Sequence, residues 1–332
     1  MNPAGLVKKY SHLDDLHITR VLGCWAAVSD GRVLEVDRSS ALDSCPLQQK
    51  LSTAGVAEYL EEKIRKFGHF TASRGITRDS IAVPYGTSEM LMYALRKDVI
   101  DCAVTVCDGA GTVVTDRADV VQGIGARMNG LFHTTPVPAV QEHLRELGCL
   151  LFEDAAIDQA RGLSAAAEAG YGRVAATVNL CRGEKLEVLR ALEREKRLEL
   201  TLAGICSTGV DAERAVESAK HTDLAWACAS EAMRCAGGKA LLQLTLGIPV
   251  FVYSKRGLKL LSAYSDARGS GILRSLDTRR QYLLAGGREA SGYHAGRGRG
   301  GTGREIQLGR GRLILEEAVL PVRGRREPCP LR

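Results

Sequence analysis

The feature that most constrains the fold of this chain is an alternation of short apolar segments with segments of helical periodicity. Apolar segments of strand length lie at 81–83, 101–107, 173–178, 198–205, 223–227 and 248–253. Short connections between strands and helices favour parallel strands joined by crossover helices. We therefore expect an α/β fold with a mostly parallel, doubly wound, Rossmann-like sheet. Its inner strands would be 103–106, 174–178, 200–205 and 248–253.

The first 80 residues are expected to form an N-terminal β-hairpin appendage and a helix. Asp30 and Gly31 separate two short apolar segments, 26–29 and 32–36, and this pair suits the positive φ angles of a tight hairpin turn. Apolar residues at helical spacing predict a helix over 56–67. The predicted organisation is a hairpin and helix region at 1–80, an α/β domain at 81–264, and a tail at 265–332.

The charge distribution sets the tail apart from the rest of the chain. Of 45 basic and 39 acidic residues, the segment 265–332 holds 14 arginines, no lysine and 7 acids, which leaves 31 bases and 32 acids in 1–264. This nearly neutral body gives no electrostatic reason to expect nucleic-acid binding. The tail contains GRGRGGTG at 296–303 and is expected to be a poorly ordered extension. The alternative is an arginine- and glycine-rich arm that contacts phosphates.

Apolar run lengths and cysteine usage indicate the compartment. No uninterrupted apolar segment reaches the roughly 18 to 20 residues that a membrane-spanning helix needs, and residues 1–15 lack the apolar centre of a signal peptide. The ten cysteines are irregularly spaced and form no CxxC pair. We therefore expect a cytoplasmic protein that does not enter the membrane and keeps its thiols reduced.

Cysteines at the ends of the predicted strands are the first candidate site. Ligands of parallel α/β sheets bind at the carboxyl ends of the strands, and the chain places Tyr85, Cys107, Cys206 and Cys228 there. Cys45 lies in a loop, before a proline. Thiolates bind zinc and iron–sulfur clusters, and they are reactive near helix N-termini. Cys45, Cys107 and Cys228 thus predict a site for zinc, a cluster or a reactive thiol; the alternative is that they are small buried hydrophobic side chains.

Glycine-rich segments are the second candidate site. Backbone amides that are not covered by side chains can hold an anion or a small-molecule ligand, and two such segments and one serine lie near predicted strand ends. The candidate residues are Asp108, Gly109, Gly111, Thr112, Gln122, Gly123, Gly125 and Ser230. Neither segment fits the dinucleotide fingerprint, because Val114 and Met128 stand where the third glycine belongs. The alternative is that these glycines serve only tight turns.

Several segments together resemble one known family. They read CP at 45–46, VCDGAGT at 106–112, QGIG at 122–125, TTPVP at 134–138, IDQ at 157–159, STG at 207–209, ACAS at 227–230 and KRG at 255–257. In this order they resemble methanogenesis marker protein 8, over about residues 21–261. The resemblance implies an accessory role in anaerobic one-carbon metabolism, in the maturation of a cofactor or enzyme. It gives weight to Cys45, Cys107 and Cys228, but no catalytic residue can be carried over.

Three functional hypotheses remain open at this point. The first is an accessory protein that uses a strand-end cysteine site, with a methanogenic enzyme or its maturation machinery as the implied partner. The second is a non-catalytic assembly factor that binds a methanogenic enzyme. The third is an enzyme that binds a nucleotide or a phosphorylated metabolite.

Overall fold

The computed structural model describes residues 2–37, 52–126, 128, 130–228, 230–286 and 303–323. The strands are β1 (His17–Val21), β2 (Cys24–Ser29), β3 (Arg32–Asp37), β4 (Cys102–Cys107), β5 (Gly111–Thr115), β6 (Gly130–Thr134), β7 (Leu150–Leu151), β8 (Arg173–Asn179), β9 (Glu199–Ile205), β10 (Leu224–Trp226), β11 (Leu242–Leu244), β12 (Val250–Val252), β13 (Tyr282–Ala285), β14 (Arg304–Leu308) and β15 (Gly311–Glu317). The α-helices are α1 (Pro3–Lys9), α2 (Thr53–Phe67), α3 (Thr87–Arg96), α4 (Ala118–Gly125), α5 (Pro138–Glu146), α6 (Gln159–Glu168), α7 (Leu186–Lys196), α8 (Ala212–His221), α9 (Glu231–Ala236), α10 (Lys255–Ala263) and α11 (Ala267–Arg274).

The large sheet is mixed. Its eleven strands follow the order β14-β15-β13-β11-β12-β10-β9-β8-β4-β5-β7. The central strands β10, β9, β8 and β4 are parallel neighbours. Six of the ten neighbouring pairs are antiparallel, and they lie on both sides of this central block. The prediction of a mostly parallel, Rossmann-like sheet is therefore wrong, although the fold is α/β.

Tight turns explain the antiparallel pairs. Strands β4 and β5 pair directly, with Cys107 opposite Gly111, across a turn in which Gly109 and Gly111 have φ angles of 79° and 68°. Residues 245–249 turn the chain back from β11 to β12. A short turn between two paired strands can only produce antiparallel pairing, whereas parallel pairing needs a crossover. The sequence pattern predicts a helix around residues 231–247, but α9 ends at Ala236 and β11 lies in the rest of this region.

Helices cover both faces of the large sheet. Side chains from α3, α10 and α11, among them Met90, Leu261 and Leu273, are buried against one face. Helices α6 to α9 cover the other face, with Leu163 and Leu189 in that core. Burial on both sides explains why β8 and β9 are almost uninterrupted apolar segments. Across the described ranges, no helix combines the length and the apolar character needed to cross a bilayer.

The predicted N-terminal hairpin belongs to a second sheet. Asp30 and Gly31 turn the chain between β2 and β3 with φ angles of 49° and 67°. These strands form the antiparallel order β3-β2-β1-β6, in which β6 comes from residues 130–134. Helix α2 packs Leu60 and Ile64 against this sheet. The hairpin is thus part of a four-stranded sheet and not a separate appendage.

Part of the predicted tail completes the large sheet. Residues 265–286 and 303–323 contribute α11 and the strands β13, β14 and β15. Ile306, Leu308 and Leu313 are almost completely buried there, so strand pairing and apolar burial order these residues despite the arginine-rich composition. For these residues a poorly ordered extension is not observed. Residues 287–302 and 324–332, including most of the GRGRGGTG segment, lie outside the described residues.

The division of the chain into domains at 80 and 264 stays a prediction.

Candidate functional site

A cavity of about 660 Å³ lies at the carboxyl ends of the central parallel strands. Val106, Asn179, Ile205 and Trp226 line it where β4, β8, β9 and β10 end. The first turn of α3 and the start of β6 close the other sides. The volume is in the range that holds a small organic ligand, and the end of a parallel block is where α/β sheets bind ligands.

Strained backbone is concentrated around this cavity. Ten described residues other than glycine have a positive φ angle, and four of them line the cavity. They are Tyr85, Cys206, Cys228 and Thr245, with φ angles of 61°, 56°, 29° and 63°. This conformation costs free energy for any residue with a Cβ atom, and such residues cluster at functional sites.

Glu184 is the titratable group that stands out in the cavity. A short 3₁₀ turn after β8 and the left-handed Gly183 bring it to the cavity wall. Burial raises the pKa of its carboxyl from 4.5 to about 7, although Arg182 lies 3.3 Å from Oε1 and favours the charged form. The Oε2 atom is buried and has no hydrogen-bond partner among the described residues. A carboxyl group with these properties can accept or donate a proton near neutral pH.

The rest of the cavity wall is mainly apolar. Trp226 is 8% exposed, and its indole Nε1 donates a hydrogen bond to the Tyr85 carbonyl oxygen at 2.9 Å. Two glutamates, Glu89 and Glu184, line the cavity, whereas no basic residue does so in the part of the chain that the structure describes. Glu89 is already paired, because its carboxylate accepts hydrogen bonds from the backbone amides of Ala82 and Val83 at 3.0 and 2.9 Å. The wall therefore favours an apolar ligand that is neutral or cationic.

The structure does not bring the predicted cysteines together. Cys228 lines the cavity, but Cys107 is completely buried in a separate apolar cluster beside Val120 and Val140. Their strands β10 and β4 are separated by β9 and β8, so the two chain ends are roughly 14 Å apart at about 4.8 Å per strand. That distance is too long for two ligands of one zinc ion. Cys45 lies outside the described residues.

Within the described ranges, no group of three His, Cys, Asp or Glu side chains could hold a metal ion. The described residues therefore do not fit zinc or an iron–sulfur cluster, and we derive no chemical step through either. Burial raises the pKa of the Cys107 thiol well above its usual range, which is typical of a structural cysteine.

Asp108 is part of a buried ion pair. Its carboxylate accepts hydrogen bonds from Arg74 Nε at 2.9 Å and from the Phe70 amide at 2.6 Å. Burial opposes its ionisation, but the Arg74 guanidinium and His69 hold the Asp108 pKa well below its usual range. This carboxylate joins the loop at 68–75 to the end of β4. Because these partners occupy its carboxylate, Asp108 has a structural role and is not an anion-binding residue.

The first glycine-rich segment forms the β4–β5 turn and its contacts. The Gly109 amide donates a hydrogen bond to Thr134 Oγ1 at 2.8 Å, and a side chain on Gly111 would collide with the Ala155 carbonyl. Thr112 Oγ1 donates to Gln159 at 2.9 Å. Ser230 caps α9 by accepting from the Met233 amide at 3.2 Å. These polar groups are used within the fold, so the predicted anion site is not formed by them.

The second glycine-rich segment is helical. Gln122, Gly123 and Gly125 lie in α4, and Gly123 allows the helix to touch the backbone of Ile76. Gln122 Nε2 donates to Glu89 at 2.9 Å, which links α4 to the first turn of α3. Gly125 is the member of the predicted anion-binding set that lines the cavity.

Sequence reasoning missed one titratable group of this site, Glu184. Glu184 carries no pattern that separates it from the other 38 acidic residues, and only its burial in the folded chain distinguishes it. Cys206 was placed at a strand end but was left out of the predicted thiol site, and it lines the cavity together with Cys228 and Tyr85.

Comparison with known proteins identifies a family that includes the cavity. An uncharacterised protein of Methanocaldococcus jannaschii is 35% identical over 258 residues, which cover 74% of this chain and 89% of the relative. A family model described as "Uncharacterized protein conserved in archaea (DUF2099)" matches residues 17–264, which include every described residue of the cavity wall. The chain therefore belongs to this archaeal family.

Proposed function

We propose that this chain is an enzyme that converts a small, mainly apolar molecule with a neutral or cationic polar group in the strand-end cavity. The observation that carries the proposal is Glu184, a residue of the cavity wall whose carboxyl has a pKa of about 7 and whose buried Oε2 has no hydrogen-bond partner among the described residues. A group of this kind is suited to general acid–base catalysis at neutral pH. The strained residues around it support the same location.

The electrostatics of the wall disfavour the phosphorylated-metabolite hypothesis. Phosphate groups are bound by Arg or Lys side chains, or by free amides at a helix N-terminus. No described wall residue is basic, and the Glu89 side chain already occupies the amides of Ala82 and Val83 next to the first turn of α3. We therefore place the nucleotide or phosphometabolite alternative second to a neutral or cationic substrate.

The wider role rests on the resemblance to methanogenesis marker protein 8. We propose that the reaction is accessory to anaerobic one-carbon metabolism, takes place in the cytoplasm, and matures a cofactor or a methanogenic enzyme. The non-catalytic assembly factor remains the alternative, and one observation favours it. Val83 and Ile248, on the cavity wall, are 47% and 55% exposed, which gives the rim an apolar surface.

Binding of three matched probes tests the proposal. Benzylamine, benzyl alcohol and benzyl phosphate share one apolar ring and carry a cationic, a neutral and an anionic group. We expect benzylamine and benzyl alcohol to change the fluorescence of Trp226 and to raise the melting temperature, and benzyl phosphate to do neither. At a probe concentration 100 times its Kd, the stabilisation is about 2.7 kcal/mol.

A variant that fills the cavity provides the control. Val106→Phe places a larger side chain at the end of β4 and should abolish the response to all probes while the circular dichroism spectrum is retained. Preferential binding of benzyl phosphate, or unchanged binding in the Val106→Phe variant, would contradict the proposal.

A further inference from the structure

Two cysteines end neighbouring strands on the cavity wall. Strands β9 and β10 are parallel, with Gly204 opposite Ala225, and Cys206 and Cys228 follow them by one and two residues. Both are half-buried free thiols that line the cavity. Because adjacent strands are about 4.8 Å apart, the chain carries both thiols to the same edge of the sheet.

The two turns that carry these thiols are fixed to each other and to the core. Ser207 Oγ donates a hydrogen bond to the Trp226 carbonyl oxygen at 2.6 Å, which joins the turn after β9 to the end of β10. Arg234 Nη2 donates hydrogen bonds to the carbonyl oxygens of Cys228 and Gly247 at 3.3 and 3.0 Å. The positive φ angles of Cys206 and Cys228 are held by these contacts. The arrangement is preorganised, as a site that reacts through both thiols requires.

A third thiol nearby has a different environment. Cys181 does not line the cavity; its Sγ donates to the Cys206 carbonyl oxygen at 2.8 Å and accepts from Arg20 at 3.1 Å. Cys181 therefore supports the turn that holds Cys206. Cys235, an exposed free thiol of α9 that does not line the cavity, provides the control.

We propose that Cys206 and Cys228 act as a two-electron dithiol that reduces a small organic disulfide bound in the cavity. This inference rests on the proposed function and names the substrate class for it. Cys206 Sγ packs against Gly130 of β6, and burial raises the pKa of the Cys206 thiol; we therefore assign the first attack to Cys228 and the second to Cys206. Glu184 in the same cavity provides a proton acceptor.

The reaction balances in two exchange steps. The Cys228 sulfur, after losing its proton, attacks one sulfur of the substrate disulfide; a protein–substrate disulfide forms and the first substrate thiol leaves with a proton. The Cys206 sulfur then loses its proton and attacks the Cys228 sulfur. A Cys206–Cys228 disulfide forms, and the second substrate thiol leaves with a proton. Two electrons pass from the protein pair to the substrate, and an external dithiol such as dithiothreitol restores the protein.

Reaction with bis(2-hydroxyethyl) disulfide tests the inference, because this probe is small and neutral. The reduced full-length chain is mixed anaerobically with the probe, and the products are measured by mass spectrometry and peptide mapping. We expect release of both halves of the probe as 2-mercaptoethanol and a Cys206–Cys228 crosslink. Cys206→Ser should stop at a stable adduct on Cys228 with one half released. Cys235→Ser should react like the original chain.

The results separate this inference from the proposed function. If no Cys206–Cys228 crosslink forms, or if Cys206→Ser still releases both halves, the dithiol inference fails. A Cys206→Ser/Cys228→Ser variant that still binds benzylamine has an intact cavity. Failure of disulfide reduction would then leave the proposed ligand binding unaffected. If the Cys206–Cys228 crosslink forms but none of the benzyl probes binds, the proposed ligand class is overturned and the dithiol inference is retained.

Discussion

Two carboxyl groups of this chain, one buried and one partly buried, lie in opposite electrostatic environments. Asp108 meets the guanidinium of Arg74 and remains ionised, whereas Glu184 faces an apolar cavity and has a pKa of about 7. Arg182 Nη1 lies 3.3 Å from Glu184 Oε1 and also donates a hydrogen bond to the Ile157 carbonyl oxygen at 2.8 Å. The first carboxyl stabilises the fold, and the second is available for chemistry.

Glu184→Gln should remove a pH dependence of stability. Because the folded-state pKa is raised from 4.5 to about 7, the folded chain binds more protons than the unfolded chain between these values, and stability falls as pH rises through this window. The cost reaches about 3 kcal/mol above pH 7. Urea unfolding from about pH 5 to about pH 8 should show this loss in the original chain and in Glu187→Gln, an exposed control, but not in Glu184→Gln.

The same titration should control cation binding. Benzylamine affinity is expected to rise roughly tenfold, or about 1.4 kcal/mol, as Glu184 ionises, while benzyl alcohol affinity stays constant. Equal pH profiles for the two probes would show that Glu184 does not contact the ligand.

Asp108→Asn should destabilise the chain strongly. The substitution leaves Arg74 charged, 2% exposed in its side chain and without its carboxylate, which costs about 3 to 5 kcal/mol. Because the Asp108 pKa is depressed, its contribution is present above the unfolded-state pKa and is lost only in strong acid. Asp154→Asn breaks an exposed pair with Arg161 and should cost less than about 1 kcal/mol in the same urea experiment. Equal costs for both variants would be inconsistent with a structural role of Asp108.

Elements of secondary structure were predicted well where periodicity is strong and poorly where turns decide direction. The strands at 103–106, 174–178 and 200–205 lie within β4, β8 and β9, which are parallel. The sequence DGAG at 108–111 fits both a strand-to-helix loop and a hairpin turn, and only the pairing of β5 with β4 decides between them. A helix was expected around 231–247 because a three-residue strand such as β11 has too few residues to show a period of two.

The strands from the tail should contribute measurably to stability. Leu308 is completely buried where β14 pairs with β15, so Leu308→Ala should lower the free energy of unfolding by about 2 to 5 kcal/mol. Val319 is 71% exposed, and Val319→Ala should change it by less than about 0.5 kcal/mol. Differential scanning calorimetry of both variants checks this. If Leu308→Ala has a negligible effect on the free energy of unfolding, the tail does not contribute to the core.

At the scale of the whole molecule, the cavity lies where the two sheets approach each other. Asn179 at the end of β8 donates from Nδ2 to the Leu131 carbonyl oxygen of β6 at 3.0 Å, so the large sheet and the small sheet are joined beside the cavity. Sequence reasoning located the strand ends, with Tyr85, Cys206 and Cys228, but it had no means to find this junction. Contacts between residues 48 positions apart depend on tertiary packing and leave no local pattern.

The left-handed residues around the cavity also bear on the design of related sequences. A sequence chosen only for compatibility with this backbone would place glycine at positions 85, 206, 228 and 245, because glycine adopts these angles without strain. It would relieve backbone strain but would lose an aromatic ring, two thiols and a hydroxyl group from one wall. The natural chain keeps four side chains at backbone angles that favour glycine, and the strain of holding them is located at the cavity.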